Sequence, residues 1–473
     1  MSAASCDPAS DRSKGWVADT MTNARTEELV KYDREHILHA QIPLGETLGV
    51  IYDSAEGIVL RDTEGKEYLD ASSQMVSANL GHGRREIIEA VQTQLDTLQH
   101  VGQYYGHSST PMVECARKLA TVTPGDLDHF WFTSGGGEST DAAIRLVRRY
   151  FTAVGQPTKR KIISLYMSYH GTGNGPMNLT GIPAMQAGYG PEAPGYLKIP
   201  AYYCYRCPFG LEYPSCDTRC ARFLETVIES EGPENIAAFI AEPELGASGF
   251  LVPPDTYWPL IREICTRHDV VMIADEVMCG FCRTGTMFCI DHWHVVPDVI
   301  AMSKGITGGY VPMGAVAFND RIWDGLEGVS LMHQYTFSGS PAGCAAAIAA
   351  IDVYVNDHIA ENATRVGRHI VERIEKEFMP MPCVGTYSGL GLMLAMEIVA
   401  DKQTKAMFDP PVGPIMPLLD EAREKGLHLR QMGSNRIVIA PPCTTTITEA
   451  DRIVEILKPL VAAISPPDST ARG

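Results

Sequence analysis

Two short apolar runs each end in a side chain suited to chemistry. Val270-Val-Met-Ile-Ala274 runs into Asp275-Glu276-Val277. Asp298-Val-Ile-Ala-Met-Ser303 leads to Lys304, followed by the glycine-rich turn Gly305-Ile-Thr-Gly-Gly309. If both runs are buried strands, a carboxylate and an amine 29 residues apart (304 − 275) open into one crevice. The amine can form an imine with an aldehyde, and the carboxylate can keep a ring nitrogen protonated. That pair suits pyridoxal phosphate, a cofactor that performs the bond chemistry while the protein orients it. Alone, each residue reads better as a surface lysine or a helix-capping aspartate.

A third segment supports the functional reading. Phe130-Trp-Phe-Thr-Ser134-Gly135-Gly136-Gly137-Glu138 joins a strand to a helix whose Ala143, Leu146, Val147 and Tyr150 share a face. Glu138 and Asp141 sit early in that helix and Arg145, Arg148 and Arg149 late, as the macrodipole prefers. Glycines ahead of a helix start expose backbone N–H groups to an anion. Gly136 and Gly137 are the candidate donors, with Ser134 beside them. A nucleotide-binding loop is disfavoured, because no Gly-x-x-x-x-Gly-Lys-Ser/Thr pattern is present there.

The elements that must position these groups can be read from periodicity. Candidate strands are 129–133, 161–166, 237–241, 270–274, 299–302 and 315–318, with helical patterns between them. Continuous apolar strands alternating with helices predict a mainly parallel sheet covered on both faces. Ligands bind such sheets beyond the strand carboxyl ends, where the suspected residues fall. Earlier in the chain, residues 26–40 predict a helix capped by Thr26, and residues 49–70 a β-meander with a turn at Glu64-Gly65. Later, helices are expected at 342–355, 360–378, 414–425 and 449–463, and strands at 391–398 and 436–440. The expected domains are 25–75 and 346–465 forming a smaller α/β domain, and 76–345 forming the large one. Residues 1–24 and 466–473 read as disordered tails.

Bulk properties exclude some partners. A chain of 473 residues exceeds one small core. Its net charge of −18, with no basic tract, argues against nucleic acid and anionic membrane. No apolar run is long enough for a membrane span. No export signal is legible, and most of the 13 cysteines lie among apolar neighbours, so reduced thiols and a cytoplasmic location are expected.

The ordered motifs Phe132-Thr-Ser-Gly-Gly-Gly-Glu138, Tyr169-His170-Gly171, Ala241-Glu242-Pro243, Ile273-Ala-Asp275-Glu276-Val277, Gly280-Phe-Cys-Arg-Thr-Gly285, Ser303-Lys304-Gly305 and Thr336-Phe-Ser-Gly-Ser-Pro341 resemble those of the class III aminotransferases. These belong to the ω-aminotransferase branch of the aspartate aminotransferase-like fold, and the likeness runs over about residues 30–463. It implies amino transfer from a primary amine or ω-amino acid to a keto acid such as pyruvate or 2-oxoglutarate, through pyridoxal phosphate on Lys304. It further implies that Tyr169 and Val277 flank the cofactor ring, that Asp275 holds the ring nitrogen, and that Ser134, Gly136, Gly137, His170 and Glu242 adjoin the cofactor. Thr336 would reach the phosphate from a second subunit, making the enzyme an obligate homodimer with shared sites, or a tetramer built on it. Glu276 would buttress the ring hydroxyl region or the lysine loop, or serve structure alone. For the substrate carboxylate, Arg430 resembles a switch arginine that can pair with Glu242, with Arg436 as runner-up. Many relatives carry Gly-Leu-Trp where this chain has Gln74-Met75-Val76, so Met75, Val76, Tyr104 and Tyr105 become candidate wall residues of a wider pocket. Decarboxylating transamination of dialkylglycines, or racemisation, would use the same cofactor and is the alternative.

One motif stands outside this scheme. Cys204-Tyr-Arg-Cys207 is followed by Cys216-Asp-Thr-Arg-Cys220. Four thiolates so spaced could hold a tetrahedral zinc, or line a packed surface lobe as free thiols. No metal is assigned to the catalytic site.

Overall fold

The computed structural model describes residues 23–465, so residues 1–22 of the expected tail 1–24, and the expected tail 466–473, lie outside the described residues. The described residues divide into two compact units, one within residues 23–55 and 59–68, the other within residues 56–58 and 69–465. In the first, a helix spans Asn23–His36. It begins earlier than expected, taking in two residues of the expected tail. Thr26 does not cap it: the residue lies inside the helix and its hydroxyl donates to Thr63 Oγ1 at 3.0 Å. The expected turn is present, with Asp62 and Lys66 bonded across it and Tyr68 Oη donating to Asp62 Oδ2 at 2.7 Å.

The second unit is built on a seven-stranded sheet. Its spatial order is His129–Thr133, Gly314–Phe318, Val299–Met302, Val271–Asp275, Ile236–Ala241, Lys161–Leu165, Tyr196–Ile199. Only Gly314–Phe318 runs against its neighbours. All six expected strands are present within a residue at each end. The edge strand Tyr196–Ile199 was not foreseen, because four residues between Gly195 and Pro200 give too short an alternation to stand out.

Strands buried on both faces explain the unbroken apolar runs. Every residue of Ile236–Ala241, Val271–Asp275 and Val299–Met302 is buried. The helix Gly136–Ala153 lays Ala143, Leu146, Val147, Tyr150 and Phe151 on one face of the sheet, against Ile162, Ile240, Ile273 and Val316. An alanine-rich helix, Pro341–Asn356, packs on the helices Arg85–Thr97 and Thr110–Ala120. Ser340 caps it through Gly343 N–H.

A second sheet has the antiparallel order Val384–Leu390, Met393–Ile398, Arg436–Ile439, Arg430–Met432. Val384–Leu390 and Arg430–Met432 were missed, because glycines and polar residues break their alternation. Helices follow at Ile359–Arg373, continuing as a wider π turn through Phe378, and at Ile415–Glu424 and Ile447–Ala462. The last starts with a full capping box between Thr446 and Glu449. No described helix is long and apolar enough to cross a membrane.

Candidate active site

The six co-directional strands place their carboxyl ends on one edge of the sheet. Beyond Thr133 lies the glycine loop, beyond Leu165 lie Tyr169 and His170, and beyond Ala241 comes Glu242. Asp275 ends its own strand, and Lys304 follows Met302 by two residues. These residues converge on one cavity of about 880 Å3, lined among others by Ser134, Gly136, Gly137, Tyr169, His170, Glu242, Asp275, Val277 and Lys304.

The glycine loop is shaped for close approach. The helix begins at Gly136, so the first-turn N–H groups have no intrahelical acceptor and face the cavity. A Cβ on Gly136 would lie 2.6 Å from Val277 Cγ1. Glycine there lets the helix start and the Val277 wall close on the same space. Glu138 reaches back to accept the Ser134 N–H at 2.8 Å, which fixes the loop.

Asp275 is held from two sides. Its Oδ1 accepts the Val277 N–H at 3.1 Å, and its Oδ2 receives His170 Nδ1 at 2.7 Å. Burial works against a charged imidazole, yet the Asp275 bond and the Glu242 charge hold His170 above its ordinary value. The opposite nitrogen, His170 Nε2, has no hydrogen-bond partner and lies 3.9 Å from the equally unpartnered Glu242 Oε2. Burial pushes Glu242 up to about 7, helped by Asp275. Its other oxygen accepts the Tyr169 N–H at 3.0 Å. His170 was named from its motif alone; its service to Asp275 is a packing fact that no local sequence signal carries.

Lys304 opens to the cavity and is enclosed by protein elsewhere. Burial brings its amine down to about 8, although Asp275 opposes this. Lys304 itself takes a left-handed backbone, φ 47°. Strain of this kind gathers at functional sites.

Glu276 faces the other way. It is fully buried and accepts Cys289 N–H at 3.0 Å, Ile290 N–H at 2.8 Å and the Cys279 thiol. It fastens the turn Cys289–Trp293, so of its two readings the structural one fits, and it does not line the cavity. Burial still pushes it up to about 8. Nearby Glu244 is fully buried, and both its oxygens lack a partner of ordinary length. Burial, with the Glu276 charge, drives it well above the usual range against a loose approach of the Leu390 N–H.

Both acids keep protons that the unfolded chain loses near pH ~4.3. The native state therefore binds more protons from there up to about 8 for Glu276. Stability must fall as pH rises through that window, by up to ~1.4 kcal/mol per unit for each group. Glu244→Leu is expected to raise the unfolding midpoint, and by more at about pH 8 than at about pH 5. Urea unfolding at both values checks this; an equal gain at both would show that Glu244 holds no trapped proton.

The substrate candidates are placed less uniformly. Arg436 is buried and consumed: it pairs with Glu397 at 2.8 Å and donates to Gly249 O, Ser388 Oγ and Tyr203 Oη. Neither it nor Arg430 lines the cavity within one chain, but the partners of Arg436 leave no bidentate face for a substrate. Arg430 is half-buried on its strand and touches Gln74 O and Met75 Sδ. Burial lowers it against the Asp70 charge, and it lies near enough to act on Lys304.

The loop beneath it is pinned by buried Asp70. That carboxylate accepts the Ser72 and Gln74 N–H groups and the Gln74 side chain, while Ser73, Gln74 and Val76 take left-handed backbone. Arg283, whose motif carried no assigned role, donates to Ser73 Oγ, Asn79 Oδ1, Leu392 O and Pro441 O, tying this loop to the second sheet. Val76 is fully buried, Met75 is half exposed and Tyr105 is 99% exposed. None of these three, nor Tyr104, lines the cavity within one chain, and neither does exposed Thr336. Tyr335, which was not foreseen, does line it and donates to Asp141 Oδ2 at 3.0 Å.

The family profile described as Aminotransferase class-III matches residues 43–461. Diaminobutyrate–2-oxoglutarate transaminase of Halomonas elongata is 34% identical over 443 residues, covering 90% of this chain and 94% of that one. Putrescine–pyruvate aminotransferase of Pseudomonas aeruginosa is 34% identical, covering 93% and 96%. Among solved structures, a thermostable (S)-enantioselective ω-transaminase from Thermomicrobium roseum superposes with a TM-score of 0.89 at 39% identity, covering 93% of this chain and 99% of that one.

Proposed function

The chain belongs to the class III aminotransferases, with the aspartate aminotransferase-like fold, and from that premise we propose how its own residues carry out amino transfer and on what. The observation that carries the reading is the shared cavity of Lys304, Asp275 and the Gly136 helix start. Pyridoxal 5'-phosphate fits this donor set: helix N–H groups for a phosphate, a buried carboxylate for a ring nitrogen, and an amine for an aldehyde. When bound, that group condenses with amines and accepts the electron pair left when a donor carbon loses its proton.

The protein supplies the rest. Gly136, Gly137 and Ser134 hold the anion at the helix start. Asp275, oriented by His170 Nδ1 and the Val277 N–H, holds the ring-nitrogen proton. Tyr169 and Val277 form walls that exclude water. Lys304 Nζ would hold the group by its aldehyde and, when free, would move the proton at the reacting carbon. A value near 8 suits an amine that must both accept and donate near neutral pH.

The donor class we propose is a primary amine or ω-amino acid, and the acceptor a keto acid such as pyruvate or 2-oxoglutarate. The printed substrates of the Halomonas and Pseudomonas relatives support it. Arg430 is our receiver for the substrate carboxylate; Arg436 is set aside because of Glu397. Arg430→Ala is expected to raise KM for the keto acid ~10–100-fold, the worth of a charged hydrogen-bonded pair. The half-reaction with an amine donor that carries no carboxylate should be unchanged. Single-turnover kinetics of the two half-reactions check this, and an unaltered keto-acid KM removes Arg430 from the role.

A homodimer with shared sites forms part of the proposal. Exposed Tyr105, Met332 and Phe337, together with Thr336, support a second copy covering this region. For domains we keep 25–75 with 346–465, and 76–345. The seven-stranded sheet lies wholly inside residues 129–318, and the antiparallel sheet inside 384–439.

A further inference from the structure

Residues 204–220 take no part in the catalytic cavity, yet they hold four of the 13 cysteines in 17 positions. The segment has little regular structure of its own. A single turn, Cys204–Arg206, opens it, and the helix Arg219–Glu231 begins as it ends. The structure folds it back on itself, so that Cys204, Cys207, Cys216 and Cys220 line one small cavity of about 20 Å3, walled by Tyr203, Phe209, Leu211, Tyr213 and Pro254. That volume is about right for one ion, since a single water needs ~10–15 Å3. All four thiols are free. Elsewhere the described cysteines are buried, as inert thiols usually are. These four are less enclosed: Cys204 is exposed, and Cys207, Cys216 and Cys220 are only partly buried.

We propose that this loop is a structural site for one zinc-class divalent ion, held by the four thiolates of Cys204, Cys207, Cys216 and Cys220. Cys-x2-Cys followed by Cys-x3-Cys supplies the soft, four-coordinate set that zinc prefers. Among the described residues, the only groups of three or more ligand atoms within 4.8 Å of one another are Asp128/His129/Asp320 and Glu225/Glu229/His268. The sulphurs therefore ring the cavity without having converged. Bringing them to Zn–S distances of ~2.3 Å is the closure that the ion itself would drive.

The gain would be rigidity in a loop that anchors the second sheet. Tyr203 Oη and Arg206 Nε, at one end of the loop, both donate to Glu397, which also pairs with Arg436. Lys405 donates to Tyr205 O at 2.8 Å. Arg436 lies on the strand beside the one carrying Arg430. The ion would steady the sheet that presents Arg430 without touching the reacting atoms.

The test is metal analysis of the full chain, purified without chelator from zinc-supplemented cells. We expect about one zinc per chain, and after exchange with cobalt, the sulphur-to-metal charge transfer and intense d–d bands of a tetrahedral thiolate site. Cys204→Ser with Cys216→Ser should abolish both signals. Glu229→Ala with His268→Ala, and separately His129→Ala with Asp320→Ala, which remove the two competing ligand groups, should keep them. Because the serine variant could misfold, the unaltered protein is also titrated with a thiol reagent. Four slow-reacting thiols that become fast when a chelator strips the ion support the site. Metal far below one per chain, with these thiols fast from the outset or joined as disulfides, overturns it. So does zinc that persists in the serine variant.

Discussion

Lys304→Ala is expected to lower turnover by at least ~10⁴-fold while leaving the protein folded. Two losses combine. The amine that fixes the cofactor is gone, and so is the base that moves the proton at the reacting carbon. Acid–base catalysis alone is worth ~10²–10⁴-fold. Stability should move the other way. Burial brings the amine down to about 8, so the native state disfavours a cation that the unfolded chain keeps up to pH ~10.4. Below about 8 both states hold the proton and the native state bears the full desolvation penalty; stability recovers as pH rises from there towards ~10.4. In the cofactor-free protein, removing the amine at neutral pH should therefore hold or raise the unfolding midpoint. Borohydride treatment followed by peptide mass mapping gives a third reading: the unaltered enzyme should carry the cofactor on the Lys304 peptide, and the variant on none. Full activity in the variant would refute the assignment.

The convergence of Lys304 and Asp275 on one cavity was legible because its signal is local. Each residue ends a continuous apolar strand, and buried parallel strands must deliver their ends to one edge of the sheet. The glycine loop was legible for the same reason: Gly136 stands at a strand-to-helix junction, where only a helix start fits. Roles decided by packing between distant segments were not legible. His170 meets Asp275 across 105 positions, and Arg283 reaches Ser73 across 210. Arg430 ranked above Arg436 in sequence only by its resemblance to a switch arginine; composition alone shows two basic residues six apart in one C-terminal segment. The buried partner Glu397 separates them, and it comes from a neighbouring strand. The pocket wall was read too simply. The resemblance put Val76 on the wall of a wider pocket, yet Val76 is fully buried and lines no part of the cavity within one chain. The Asp70-pinned turn sets where that side chain goes, and residue size alone does not reveal it.

Asp275 and Glu276 are adjacent carboxylates, and the structure gives them opposite consequences. Asp275→Asn should lower kcat by ~10²–10³-fold or more, the scale for losing one preorganised charge at a reacting centre. The amide keeps the shape but cannot hold a ring-nitrogen proton as a charged partner. His170 reports the change independently. Its imidazole stands above the ordinary value because it donates to Asp275 Oδ2, so neutralising that carboxylate should bring its titration down. Proton-observed NMR of the buried imidazole tests this without any turnover measurement. Glu276→Gln is the control. Its oxygens accept Cys289 and Ile290 N–H groups away from the cavity, so kcat should stay within a few-fold while the fall of stability with pH becomes shallower. If Glu276→Gln instead abolished turnover while Asp275→Asn did not, the orientation of the two acids would be reversed in the working enzyme. The cavity assigned to Lys304 and Asp275 could then not be the one where the amino group is transferred.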